Sequence, residues 1–164
     1  MSNIKSRKRI KWNNNEEDWD CGVQALHNLH KITGTKKKVN PRKLKITKKE
    51  GVSDFLKYRK ALKEDPKVKE LKVKTEPKPK EIKKWLEEDK PSGKTQNVAI
   101  IHTKEKNDRY GHLSLAYKSE GDEIRVANLV DEEPSSKVHI KKLSNKKTKL
   151  KRAYFLKVKR KQKN

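Results

Sequence analysis

The sequence is short of cysteine, glycine, aromatic residues and long apolar runs, and each shortage removes a class of protein. A single cysteine, Cys21, closes no internal disulfide, so nothing argues for a stapled secreted fold. The expected setting is an intracellular, reducing compartment, either the cytoplasm or the inside of a particle. Residues 1–12 are basic but contain no apolar h-region, so secretion by a signal peptide is not expected. The longest strongly apolar run, residues 98–101, falls far short of the ~20 residues that a membrane-crossing helix needs. The six glycines form no phosphate-cradling loop, no cysteine pair marks a metal motif, and no internal repeat recurs, so neither a cofactor nor a metal is expected. Leu, Ile, Val and Phe make up 34 of 164 residues. That share lies close to the ~20% below which chains stop burying enough apolar surface to fold. The core must be small, and the apolar periodicity between Asp20 and Leu156 shows where it lies.

Positive charge is what the chain has in excess. The formal charge is +24, from 46 basic and 22 acidic residues. Residues 1–11 hold five basic residues and no acid, namely Lys5, Arg7, Lys8, Arg9 and Lys11. Residues 141–164 hold twelve and no acid, among them Lys157, Lys159, Arg160, Lys161 and Lys163. These two ends supply +17, which leaves a middle of mixed sign at only +7. Heat-adapted surfaces balance their charges into ion-pair networks, and ends without a single acid do not. Such ends suit sequence-independent contact with a polyanion, DNA or RNA, through its phosphates. The length accommodates one domain. Its expected bounds are residues 13–158, between a basic arm at 1–12 and a basic tail at 159–164.

Periodicity divides that domain into a helical first half and a sheet in the second. Asp20 suits a helix N-cap, Val23, Leu26, Leu29 and Ile32 fall on one stripe, and Gly34 supplies a stop, which puts Cys21 at a helix N-terminus. A second helical segment follows Ser53 and Asp54 with Phe55, Leu56, Tyr58, Ala61 and Leu62, and a third starts near Pro79 with Ile82, Trp85 and Leu86. Beyond Thr95 the period becomes that of strands, at 98–101, 112–117, 123–129 and 153–158. The segregation implies an α+β domain with a cleft between its two parts.

A thiol attacks only as thiolate, and a helix N-terminus favours negative charge, so Cys21 occupies the place of an activated nucleophile, with Asp20 partly opposing the effect. A general base is then required, and histidine is the usual one. Asp20-Cys21-Gly22 opening a helix, followed about ninety residues later by Gly111-His112 opening a strand, resembles the papain-like cysteine peptidases, specifically the bacteriocin-processing (double-glycine leader) type. The resemblance covers roughly residues 13–158, including the helix and the short apolar strand before the histidine and the final strand after it. It implies a papain-like fold, cysteine peptidase activity on a protein or peptide substrate, and His112 as base to Cys21.

The resemblance also places an orienting residue at the end of the strand after the histidine, where Asn128 and Asp131 are the candidates. If Ser119-Glu120-Gly121 is a three-residue hairpin loop, Lys118 opposes Asp122 and His112 opposes Asn128; a two- or four-residue loop sets His112 against Leu129, with Asp131 diagonal to it. Gly121 favours the first arrangement and hence a Cys21, His112, Asn128 triad. The Cys21 backbone N–H is the natural oxyanion donor, and Asn15 stands where the family has a glutamine. That departure keeps open a second reading, a non-catalytic papain-like protein associated with nucleic acid or packaged in a particle. His27 and His30 read as surface residues, and His102 and His139 as polar strand ends. Trp19 is read either as a wall of the cleft or as packing at the helix start.

Overall fold

Gly34 ends the first helix as its position requires, with φ of 79° and its N–H donating to the His30 carbonyl at 2.8 Å. That helix, α1, spans Cys21–Thr33 and buries Val23, Leu26, Leu29 and Ile32, the stripe expected from the sequence. Asp20 precedes it without a side-chain cap bond, and its Oδ2 instead accepts from the Gln24 amide at 3.2 Å. The second helix, α2 (Phe55–Glu64), is capped by Asp54, whose carboxylate accepts from the Lys57 N–H at 3.0 Å. The third, α3 (Pro79–Glu87), starts with proline at its first turn and buries Ile82 and Leu86. The computed structural model describes residues 19–88, 93–107, 111–119, 123–130, 133–137, 143–144 and 146–161. Asn15, Asp131, Lys163 and the basic residues Lys5, Arg7, Lys8, Arg9 and Lys11 lie outside these, as do Gly121 and His139.

The fold is α+β and antiparallel. A two-stranded sheet pairs β1 (Ile46–Thr47) with β2 (Gly51–Val52). The main sheet has six strands: β3 (Val68–Thr75), β4 (Thr95–Glu105), β5 (His112–Lys118), β6 (Ile124–Val130), β7 (Glu133–Lys137) and β8 (Thr148–Lys159), in the order β3-β8-β4-β5-β6-β7. The helices do not form one separate half. α1 lies across β5 and β6 on one face, over a core that includes Ile100, Leu115, Tyr154 and Leu156. α3 covers the other face, over Ala99, Ile101, Ala116, Val126 and Phe155. There the Trp85 indole donates to the Val98 carbonyl at 2.9 Å. Among the described residues no helix is long and apolar enough to cross a membrane.

Three features depart from the sequence reading. β3 lies within the expected helical half and forms a sheet edge against β8. The last strand starts at Thr148, earlier than 153, and ends at Lys159. The β5–β6 hairpin pairs Lys118 with Ile124 and is closed by the Ser119 N–H donating to the Glu123 carbonyl at 2.8 Å, so Lys118 does not oppose Asp122 and His112 does not oppose Asn128. Packing decides this register. It sets Leu115 against Ala127 and Ala116 against Val126, whereas the expected register would have faced Leu115 with Arg125. Because the slip is two residues, side-chain alternation is preserved and His112 and Asn128 remain neighbours on the diagonal.

Candidate active site

The start of α1 is fixed by close packing. A Cβ on Gly22 would lie 2.4 Å from Val52 Cγ2 and 3.3 Å from the Tyr58 ring, so only glycine lets the small sheet and α2 close on this turn. The Tyr58 hydroxyl, fully buried, donates to the Gly22 carbonyl at 2.8 Å. Cys21 is thus held at the helix N-terminus and is itself 4% exposed. Its S–H donates to the Gly111 carbonyl at 3.9 Å, and the Leu113 N–H points back at the sulfur. The thiol therefore meets the main chain on both sides of His112.

Electrostatics at the thiol run against the expectation drawn from the helix N-terminus. Burial pushes the Cys21 thiol above its ordinary range. The Leu113 and Gly22 N–H groups pull it down by less, and the Asp20 carboxylate pushes it up again. The resting residue is a neutral thiol.

His112 begins β5 and pairs with Thr103. Alternation gives it the face of Ser114 and Ala116, while Leu113 and Leu115 face α1. Its Nε2–H donates to the Asn128 carbonyl, and since a carbonyl only accepts, the lone pair of the neutral ring is on Nδ1. Among the described residues no hydrogen bond joins the ring to Cys21 Sγ. Asn128 is buried with φ of 64°, where the β6–β7 register shifts between Ala127 and Val130. Asparagine tolerates this left-handed conformation better than most residues. The bulge turns the Asn128 main chain towards the histidine. His112 and Asn128 are therefore joined through the Asn128 carbonyl, whereas Cys21 reaches the main chain beside His112 from the α1 face, opposite to the face that alternation gives the His112 ring.

His102, read from the sequence as a plain strand end, is the residue that reading missed. It pairs with Leu113 on the α1 face and lines, with Cys21, Trp19, Val52, Phe55 and Gly111, a pocket of about 20 Å³, room for about one water. Trp19 thus serves as both wall and packing residue. The His102 ring stacks on Phe55 with centroids 4.9 Å apart, and a Cβ on Gly111 would lie 2.0 Å from its Nε2, which accounts for the glycine before His112. Burial, then Arg152 and Lys151, lower its pKa to about 4. No spacing rule in the sequence marks it, because only the β4–β5 register brings it to the thiol.

The remaining sequence-derived positions are more constrained than expected. His27 and His30 are not surface residues: His27 Nε2 accepts from the Val39 N–H at 3.4 Å, and His30 faces Asp65 at 3.8 Å in a largely buried pair. Of the basic residues near the end of the chain, Lys157 pairs with Glu70 at 3.1 Å, the Arg160 guanidinium donates to the Gly93 carbonyl at 3.2 Å, and the Lys161 stem crosses Gly34. Lys159 closes β8 opposite Thr95. Set against protein-family models, curated proteins and solved structures, the chain matches none of them.

Proposed function

We propose that the chain is a thiol hydrolase of amide bonds, a cysteine peptidase of papain-like type with Cys21 as nucleophile and His112 as base. The observation that carries this reading is the seating of the Cys21 sulfur, at the start of α1, against the main chain of Gly111 and Leu113 on either side of a histidine whose Nε2 is already committed to Asn128. In this reading a substrate opens the narrow pocket and its carbonyl carbon is attacked by sulfur while the thiol proton passes to His112 Nδ1, a transfer that requires the ring to turn from the α3 face to the α1 face at the start of β5. The oxyanion is met by main-chain N–H groups at the helix start. Collapse releases the amine with the proton returned by His112, and water hydrolyses the acyl-thioester by the same two transfers reversed. His102 suits the base role poorly, because a group near 4 is a weak proton acceptor at neutral pH. Its place is the pocket wall.

The test is digestion of a proteome-derived peptide library with mass-spectrometric detection of new termini. Cleavage by the wild type that vanishes in Cys21→Ser is the expected result. Identical termini with both proteins, or none with either, would remove the peptidase reading.

A second reading is favoured by the charge distribution: a papain-like body retained as a scaffold that binds nucleic acid or another polyanion. The +17 held in the two end segments supports it. The two readings are compatible, since a hydrolase can be carried to its substrate on a polyanion.

A further inference from the structure

Beside the thiol, on its α2 side, the structure opens a groove of about 560 Å³, within the ~300–1,000 Å³ range of ligand sites. We propose that this groove is a subsite for an acidic side chain of a bound polypeptide, gripped by Arg152, Arg59 and Lys45 next to Cys21. The proposal rests on the thiol-hydrolase reading for what is done to that polypeptide.

Position is the first support. The Phe55 ring lines both this groove and the Cys21 pocket, so a chain lying in the groove is one aromatic ring away from the sulfur. The β1–β2 hairpin spans the same two spaces, with Gly51 and Val52 on the thiol side and Lys45 and Ser53 on the groove side. The two spaces are therefore adjacent and meet at Phe55.

Charge is the second. Three cations line the groove against one carboxylate, Asp54, which is already engaged by the Lys57 N–H as a helix cap. Arg152 is not a solvated surface cation. Its guanidinium lies 3.7 Å from the centre of the Phe55 ring, and its Nε is buried with no hydrogen-bond partner among the described residues. A buried donor left unpaired is costly, and a ligand carboxylate would satisfy it. Arg152 is the leading charge lowering His102, and the Tyr154 phenol that burial raises is pulled down first by hydrogen bonding to the Arg152 guanidinium and then by the charges of Arg152 and Arg59.

The third concerns the kind of ligand. Leu56, 78% exposed and the one large apolar side chain exposed among the described residues, stands on the groove wall. It offers a contact for a neighbouring apolar side chain of a polypeptide. Nucleic acid fits less well, because bases bind by stacking on open aromatic faces. Phe55 is flanked by His102 and Arg152, and Tyr154 is buried.

The experiment is fluorescence anisotropy at about 150 mM salt with the full-length Cys21→Ser protein and two labelled octapeptides that differ only in Glu against Gln at three positions. The Glu peptide should bind about tenfold more tightly, the scale of one charge-assisted contact. Arg59→Gln and Arg152→Gln should each remove most of that preference. Lys72→Gln with Lys80→Gln, which removes twice as much charge from the α3 side as either variant, should preserve it. Equal binding of both peptides, or a preference lost equally in the α3-side control, would overturn the proposal, as would displacement of the Glu peptide by an equally charged oligonucleotide that is insensitive to Arg59→Gln. Because Arg152→Gln disturbs the Phe55 stack, exposed Arg59 provides the variant that leaves folding intact. Since Cys21→Ser cannot turn over substrate, acid preference here with no Cys21-dependent cleavage in the library assay would remove only the peptidase reading. Cleavage without acid preference would remove only the subsite.

Discussion

Single residues set the chemistry of this site, and two of them are glycines whose roles the sequence hides. Gly22 and Gly111 belong to the Cys-Gly and Gly-His pairs by which the site was recognised, yet their necessity comes from Val52, Tyr58 and His102, residues distant in sequence. Gly22→Ala should destabilise the fold by about 1–3 kcal/mol through overpacking, and Tyr58→Phe by about 1 kcal/mol through its lost bond to the Gly22 carbonyl, both read as shifts in the urea midpoint. An unchanged midpoint in Gly22→Ala would show that Val52 yields freely. His102 makes stability depend on pH. Its folded pKa, about 4, lies below the ordinary value of 6.5, so the unfolded chain takes up the proton first as the pH falls. The stabilisation is complete above about pH 6.5 and is lost between there and about pH 4, by roughly 2–3 kcal/mol once solvent screening is allowed for. His30, lowered chiefly by burial, adds in the same direction. Denaturant midpoints at pH 7, 5.5 and 4 should therefore fall less steeply in His102→Gln than in the wild type, and parallel curves would contradict the assignment. Cys21 and His112 were singled out through a family resemblance, and Asn128 by a hairpin register that the sheet does not adopt. The raised thiol was not legible in the sequence, because desolvation depends on packing that no local pattern encodes.

At the scale of elements, the helices were read well and the sheet edge was not. α1, α2 and α3 carry their apolar stripes and at least one end signal each, Gly34 after α1, Asp54 before α2 and Pro79 opening α3, within or beside the segments themselves. β3 carries Val68, Leu71 and Val73 among Lys69, Lys72 and Lys74, a lysine-rich pattern that resembles a solvated segment. Charged edge strands of this kind discourage pairing with other chains. The same masking hides the first turns of β8, where Lys149, Lys151 and Arg152 intervene before Ala153. Hairpin geometry failed for a different reason. A glycine permits several loop placements, and the choice fell to cross-strand packing of Leu115 on Ala127, which the loop residues do not report. The consequence reaches the candidate site, since it is the β6–β7 bulge, rather than direct opposition, that brings the Asn128 carbonyl to His112.

For the whole molecule, charge and catalysis are separable claims. Lys157, Arg160 and Lys161 are tied to the body, so the polyanion contact expected from the charge census is tested at the five basic residues of 1–11. Binding to mixed-sequence DNA should be indifferent to sequence and fall steeply with salt, and removal of residues 1–11 should reduce the log–log salt slope by about 4–5, in proportion to five lost cations. No retention even at about 50 mM salt would confine the charge to another acidic partner or to solubility. The enzymatic claim depends on one relation, that the Cys21 thiol is deprotonated by His112 during attack. Its most direct test is acylation by p-nitrophenyl acetate, followed as the release of one p-nitrophenol per chain and as one acetyl group located on Cys21 by mass spectrometry. The expected result is a stoichiometric burst on Cys21 that slows by about a hundredfold or more in His112→Ala and changes only a few-fold in His102→Ala. A burst of equal rate in His112→Ala, or no acetyl group on Cys21, would contradict it.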